Sequence, residues 1–297
     1  MEHLENCPVC NLSNSRAYLS CKDYSVSKES FRLLLCDSCG LIYTNPRPSI
    51  QGIGPYYDSP DYISHNNTNQ GLIHKLYKLI RKYSLRKKVK LVQSISHTDK
   101  IRILDIGCGT GDFLNICQLN GMDVTGVEPH EGARQLAINR FGLNIYTDSV
   151  FYKNDWIGRF NVISLWHVLE HVHNLQERLE QVNTFLIRDG VVILALPNPT
   201  SYDAAFYKEK WAAYDVPRHL YHFKPHVIKN LMQNKGFRFI KSLPMPFDSF
   251  YVSMLSEKHQ GSKLGLLNAF YLGLKSNFKA MGNPEKYSST IYIFKKN

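Results

Sequence analysis

The sequence predicts an α/β protein in which a mainly parallel sheet, covered by helices, follows a small cysteine-held ribbon. Three observations carry this. From Ile101 onward, short apolar runs alternate with stretches of helical period. The first run ends in a glycine-rich turn, Asp105-Ile106-Gly107-Cys108-Gly109-Thr110-Gly111. Ahead of it, four cysteines stand as two Cys-x2-Cys pairs, Cys7/Cys10 and Cys36/Cys39. The 297 residues are 43% hydrophobic and 21% charged, enough for a sizeable core, which excludes a disordered chain.

The ribbon, residues 1–48, comes first. Each short loop lets two thiolates converge on one ion, and Asn11 and Gly40 tolerate the positive φ common at such turns. Four sulfurs complete a tetrahedral zinc shell, so the metal folds the segment and does no chemistry. A disulfide pair is the alternative. The start, MEHLENCPVC, has no secretion signal, so the expected setting is a reducing cytoplasm. The longest apolar run, 191–196, falls far short of a membrane span. Cys21, Cys108 and Cys117 are spare thiols that fit as small buried fillers.

Residues 49–95 form a connector and a helix. The connector is rich in Pro, Gly and Tyr and reads as extended chain. Leu72, Leu76, Leu79, Ile80 and Tyr83 recur at helical spacing, continued by Leu85, Val89 and Val92, so an apolar stripe should pack on the next domain. The net charge is +11, and this stretch is rich in Lys and Arg with no acid between Leu72 and Leu91. Such a face suits nucleic acid, an acidic lipid surface or a phosphorylated substrate; it is equally a solvated helix face.

The remaining domain, 96–297, reads as strand IRILDIG, a helix near 111–120, strand MDVTGVEP, a helix near 130–141, then NIYTD and FNVISLW. A helix near 174–187 stops at Asp189-Gly190 and is followed by VVILALP. A loop region to about 224, a helix near 225–235, FRFIKSLP and SSTIYIFKK complete it, with insertions near 199–224 and 247–285. Runs apolar on both faces suit parallel strands, with ligands at their carboxyl ends.

The glycine turn leaves no Cβ to block a ligand lying across it. A dinucleotide fingerprint would need its third glycine at 112, where Asp112 instead opposes a pyrophosphate. Glu128, 21 residues after Gly107, can accept both hydroxyls of a ribose. Asp105 suits an ammonium. S-adenosylmethionine carries that ammonium, a sulfonium and an adenosine.

These residues, with GVEP, FNVISLWHVLEHVHN and YDVPRHLYHF, make the sequence resemble the class I S-adenosylmethionine-dependent methyltransferases, and more closely bacterial members with a zinc ribbon in front. The resemblance covers nearly the whole chain. It implies a Rossmann-like, seven-stranded methyltransferase sheet with the ribbon and basic helix as a lid. It also implies that Asp105, Gly107, Cys108, Gly109 and Gly111 line the methionine and ribose, that Glu128 holds the ribose, and that Asp148 lies near adenine.

Methyl transfer needs a nucleophile aligned on the sulfonium and, for a hydroxyl acceptor, a base. His167 and His219 are the candidate bases, His219 lying on the loop after the fifth strand. His167-Val168-Leu169-Glu170-His171 contains the H-x-x-E-H of zinc peptidases, but a strand beside a cofactor loop is the wrong scaffold for that chemistry. Glu170 and His171 fix the loop by hydrogen bonds, or donate to a divalent ion as in similar quinone-precursor and RNA-end methyltransferases. Ribbon-bearing sugar methyltransferases have a Glu-His pair where this chain has Arg218-His219; Arg218 could supply a cation for an anionic substrate. Tyr56 and Tyr57 resemble tyrosines that close over substrate in the same family, and His222 joins this set. The insertion LGLLNAFYLGLKSNFKAM could receive a greasy acceptor or touch a membrane, or pack in the core.

The resulting expectation is transfer to a small-molecule, glycan-precursor or lipid-linked acceptor, to oxygen ahead of carbon. An RNA methyltransferase is the alternative that the basic helix favours, although the ribbon lacks interleaved Lys/Arg and aromatics. A non-catalytic zinc and nucleotide-binding module is the alternative outside enzymes.

Overall fold

The computed structural model describes residues 1–58, 72–96, 98, 100–152 and 154–297, with the side chains of 72–77 and 154 outside the description. Strands β1 (Ser15–Lys22), β2 (Ser30–Cys36) and β3 (Ile42–Thr44) build the ribbon antiparallel. Helix α1 (Leu72–Ile95) leads to β4 (Arg102–Ile106), α2 (Asp112–Leu119), β5 (Asp123–Val127), α3 (Glu131–Phe141), β6 (Ile145–Tyr146) and β7 (Phe160–Trp166). Then come α4 (Leu175–Phe185), β8 (Leu186–Pro197), α5 (Tyr202–Tyr207), β9 (Tyr221–His222), α6 (Pro225–Asn234) and β10 (Phe237–Pro244). Helices α7 (Asp248–Gln260) and α8 (Gly265–Ala280) precede β11 (Ser289–Lys296).

Seven strands form one sheet in the order β10-β11-β8-β7-β4-β5-β6. β6, β5, β4, β7 and β8 run parallel, and β11 and β10 close the edge antiparallel. Ile103, Leu104, Ile163 and Leu194 are fully buried, as expected of strands covered on both faces. The topology aims the carboxyl ends of β4, β5 and β7 at one edge, where the glycine turn follows β4.

Three expectations are corrected. The Asp189-Gly190 pair does not stop a helix: α4 ends at Phe185, and the pairing jumps from Phe160↔Leu186 to Val162↔Val191. Asp189, with φ +62, lies in the resulting bulge, where its side chain pairs with Lys295 at 2.9 Å. The loop region before 224 contains α5 and β9. Only the second half of the α1 stripe is well covered: Val89 and Val92 are buried, whereas Leu79 is exposed, and Leu72 and Leu76 lie outside the described side chains.

The ribbon is also tied to the sheet domain more closely than a boundary at 48 suggests. β9 adds a fourth strand to it, pairing Ile42↔His222 and Tyr43↔Tyr221. Thr44 Oγ1 donates to the His219 carbonyl at 2.9 Å. Cys7, Cys36, Leu41 and Tyr43 share one apolar core with Ile163, Leu194 and Phe223. The ribbon is therefore fixed to the loop that carries His219. Among the described residues, no helix is long and apolar enough to cross a membrane.

Candidate active site

The glycine turn is built by left-handed backbone. Gly107, Gly109 and Gly111 have φ of +70, +54 and +77, a region that favours glycine. A Cβ at Gly107 would come within 2.4 Å of Val168 Cγ2, and one at Gly111 within 2.6 Å of Leu143 Cδ1. At Gly109 a Cβ would meet nothing within 4 Å. The first and third glycines are thus required by packing, and the middle one faces open space.

Glu128 ends β5 beside that opening. Its Oε2 accepts the Gly109 N–H at 2.8 Å and its Oε1 accepts the His130 N–H at 2.9 Å. Each oxygen keeps a lone pair for a hydroxyl donor. Burial raises the Glu128 pKa, and the two backbone donors oppose that rise. Asp105 is buried beneath the turn and accepts from Ser164 Oγ at 2.6 Å. Burial pushes its pKa up to about 7, against the pull of Ser164 and Lys88. Asp112 opens α2 and is pinned by Arg81 of α1 at 2.8 Å, so the basic helix is anchored across the turn.

The histidine side of the site lies past β7. His167 turns the chain with φ +57, and its ring lies between two carboxylates, Asp248 Oδ2 at 3.2 Å from Nε2 and Glu170 Oε1 at 3.5 Å from Nδ1. Burial works to lower its pKa, but the two acids raise it to about 9. Both carboxylate oxygens of Glu170 are buried without a hydrogen-bond partner. Burial would raise the Glu170 pKa; His167, His219 and His171 together lower it. His219 Nδ1 donates to the Ala213 carbonyl at 2.9 Å, and its Nε2 lies 4.0 Å from both Glu170 Oε1 and Asp215 Oδ2. His171 Nδ1 lies 3.0 Å from both the Arg218 carbonyl and the Tyr57 hydroxyl, and burial, then His219, lowers its pKa to about 4.

Residues 76–242, more than half of the chain, match the family described as "Methyltransferase domain". The chain belongs to that family. It is 27% identical over 146 residues to the ubiquinone biosynthesis O-methyltransferase of Rickettsia prowazekii, covering 46% of this chain and 57% of the relative. It is 24% identical over 187 residues to the enzyme of the same name from Rickettsia bellii strain OSU 85-389, covering 58% and 76%. The chain thus matches only part of each curated relative's length. The crystal structure of magnesium protoporphyrin IX methyltransferase from Synechocystis PCC 6803, with bound SAH, superposes with a TM-score of 0.53 at 13% identity. That superposition covers 82% of this chain and 97% of the other, and shows the shared methyltransferase fold.

Within this methyltransferase domain several predicted roles change. Both ring nitrogens of His167 face carboxylates, which raise its pKa to about 9 in spite of burial and disfavour the free base. Arg218 is 2% exposed and spent: it pairs with Asp215 at 2.6 Å and Asp23 at 3.0 Å and donates to the Tyr56 carbonyl. No charge is left for an anionic substrate. His222 is buried in β9, its Nε2 without a partner, and burial and His219 drive its pKa well below the usual value. It belongs to the junction with the ribbon and not to a substrate surface.

The other candidates sit as follows. Tyr56 donates to Glu29 of the ribbon at 2.9 Å, and Tyr57 reaches His171. The Cys108 thiol turns toward Gly126, leaving its backbone to the turn. Asp148 is half exposed, 3.4 Å from Arg178, and close enough to Glu128 to raise its pKa. The Glu170 carbonyl ties the loop by accepting the Leu220 N–H at 2.8 Å, while its side chain faces His167 at 3.5 Å.

The sequence missed Lys88, Asp215 and Asp248. Lys88 Nζ lies 4.0 Å from the Trp166 ring centre, and burial lowers its pKa to about 8 although Asp105 and Asp248 oppose this. Nothing in the sequence singles out Lys88 among the other basic residues of α1. Asp248 and Asp215 gave no signal either, because their partners lie far away in sequence or share a loop without a pattern.

The four ribbon thiols converge as free cysteines, with Cys7–Cys39 and Cys10–Cys36 Sγ pairs each at 3.5 Å and all four Sγ atoms within 4.8 Å. Tetrahedral zinc with bonds of about 2.3 Å sets sulfurs about 3.8 Å apart. Asn11 and Gly40 take the positive φ of the two knuckles, +59 and +80. The donor set fits zinc.

Proposed function

We propose that the protein transfers the methyl group of S-adenosylmethionine to a hydroxyl of a small or lipid-linked acceptor. The observation that carries this reading is the pair of half-sites beyond the carboxyl ends of the strands: the open glycine turn with Glu128, and the His219 ring, whose Nδ1 is bonded to the Ala213 carbonyl and whose Nε2 faces Glu170 and Asp215. In this reading Glu128 accepts the ribose hydroxyls, the Asp105 carboxylate takes the ammonium, Gly109 lets the cofactor approach the backbone, and Asp148 lies toward adenine. His219 Nε2 takes the acceptor proton as the methyl leaves sulfur for oxygen, and S-adenosylhomocysteine departs. Asp215, whose pKa is lowered by Arg218 and His219 in spite of burial, and Glu170 stabilise the imidazolium so formed. The curated relatives named as ubiquinone biosynthesis O-methyltransferases support oxygen as the acceptor atom. Zinc on Cys7, Cys10, Cys36 and Cys39 holds the ribbon.

A second reading rests on the bare carboxylate of Glu170. Donor atoms of Glu170, His171 and His219 lie within 4.8 Å of one another, which fits a divalent cation. Such an ion would acidify an acceptor hydroxyl, and His219 would then be a ligand and not the base.

Calorimetric titration with S-adenosylmethionine tests the cofactor assignment. Loss of both ribose contacts in Glu128→Ala should weaken binding about 100-fold. Unchanged affinity in that variant would refute the assignment. Turnover on a panel of catechol-type acceptors, with His219→Gln and with chelator under conditions that leave the ribbon zinc in place, separates the two readings. Activity lost to chelator and restored by a divalent ion selects the metal; activity lost only in His219→Gln selects the base.

A further inference from the structure

Helix α8 is turned inside out relative to a helix that faces water. Its inward face is made mainly of small residues, Ala269, Gly273, Ser276 and Ala280, with Leu272. Gly273 lets α7 approach so closely that a Cβ there would stand 2.6 Å from the Phe250 ring. Its outward face carries Leu266, Leu267, Phe270, Tyr271, Leu274 and Phe278, all exposed, with Leu267 and Phe278 each at 71%. A contiguous apolar face of this kind marks an interaction surface.

The charges around it select the occupant. From Lys258 to Pro284 the chain has four lysines, Lys258, Lys263, Lys275 and Lys279, and no acid. Lys275 lies 5.6 Å from the centre of the Tyr271 ring, at the edge of the apolar face. Two copies of such a face would oppose like charges, whereas an anionic headgroup layer neutralises them while the aromatic and aliphatic groups enter the acyl boundary. The hairpin also reaches the site, since Asn277 Nδ2 of α8 donates to the Pro246 carbonyl at 2.8 Å. Phe247 meets the Tyr83 ring of the basic helix α1 edge-on at 5.9 Å, and the next residue, Asp248, pairs with His167.

We propose that α8 docks the protein on an anionic phospholipid surface, so that an acceptor carried in that layer reaches the His167–Asp248 edge of the site. The last clause rests on the methyl-transfer reading; the docking itself does not. The test is co-sedimentation of the full, zinc-loaded chain with phosphatidylcholine vesicles with and without phosphatidylglycerol, alongside light scattering and S-adenosylmethionine titration. The expected result is binding that requires the anionic lipid and is weakened at least about tenfold in Leu267→Glu/Phe278→Glu and in Lys275→Glu/Lys279→Glu. Cofactor affinity should be unchanged in both variants, because these side chains lie on the outward side of α8 and none belongs to the glycine turn or its Glu128 partner. Absence of vesicle binding, equal binding by the variants, or a dimer that Leu267→Glu/Phe278→Glu splits would overturn the proposal. Loss of cofactor binding in the unmodified chain would overturn the methyl-transfer reading and leave the vesicle result standing by itself.

Discussion

Asp23→Asn should loosen the clasp between the ribbon and the His219 loop. Asp23 is fully buried and accepts from the backbone of Ser25, Val26 and Ser27 and from the Arg218 guanidinium at 3.0 Å. Burial would raise its pKa, but Arg218 and the backbone donors hold it at about 2, against 3.8 for a free carboxyl. That difference is worth about 2.5 kcal/mol at neutral pH. Deleting one partner of a buried ion pair costs about 3–5 kcal/mol in other proteins; Asp215 remains on Arg218, so the lower figure is expected. The folded pKa lies below the unfolded one. The contribution is therefore present above about pH 4 and lost as pH falls through 2. Denaturant unfolding of wild type and variant across pH 7 to 2 checks this as a difference, which cancels acid effects common to both proteins. A deficit of about 2.5 kcal/mol at pH 7 should shrink below pH 4. A deficit under about 1 kcal/mol at pH 7, or one that persists unchanged at pH 2, would refute the linkage.

Three further outcomes are expected. Gly107→Ala should destabilise the fold by about 2–4 kcal/mol in thermal melts, because left-handed backbone and the Val168 contact add; Gly109→Ala should cost only about 1 kcal/mol yet impair cofactor titration. Elemental analysis of dialysed protein should find one zinc per chain, lost in Cys36→Ser together with a lower melting temperature. Asp105, with its pKa near 7, should release its proton when a cationic cofactor binds; affinity should then rise as pH goes from 6 to 8, and Asp105→Asn should abolish the dependence.

Much of the site was legible because its parts are local. The Cys-x2-Cys pairs, the Asp105 to Gly111 turn and the Glu128 spacing each act within a few residues or one β-α-β unit. Their backbone requirements, positive φ at Asn11, Gly40, Gly107, Gly109 and Gly111, are written as Asn or Gly. The histidines were harder. A histidine's role depends on what faces each ring nitrogen, and those partners are distant in sequence: Asp248 for His167, and Glu170 for His219. Arg218 looked like a free cation because Asp23, 195 residues away in the chain, was invisible as its partner.

By itself, the sequence determined the alternation of strands and helices, the two Cys-x2-Cys knuckles and the glycine turn, since hydrophobic period and short-range stereochemistry suffice for them. Only the tertiary structure decided which charges cancel and which faces stay open. It set His167 between two carboxylates, buried Arg218, joined the ribbon to the His219 loop through β9, and turned the large apolar side chains of α8 outward. Those outcomes depend on desolvation and on pairing across long stretches of chain, which no local pattern encodes.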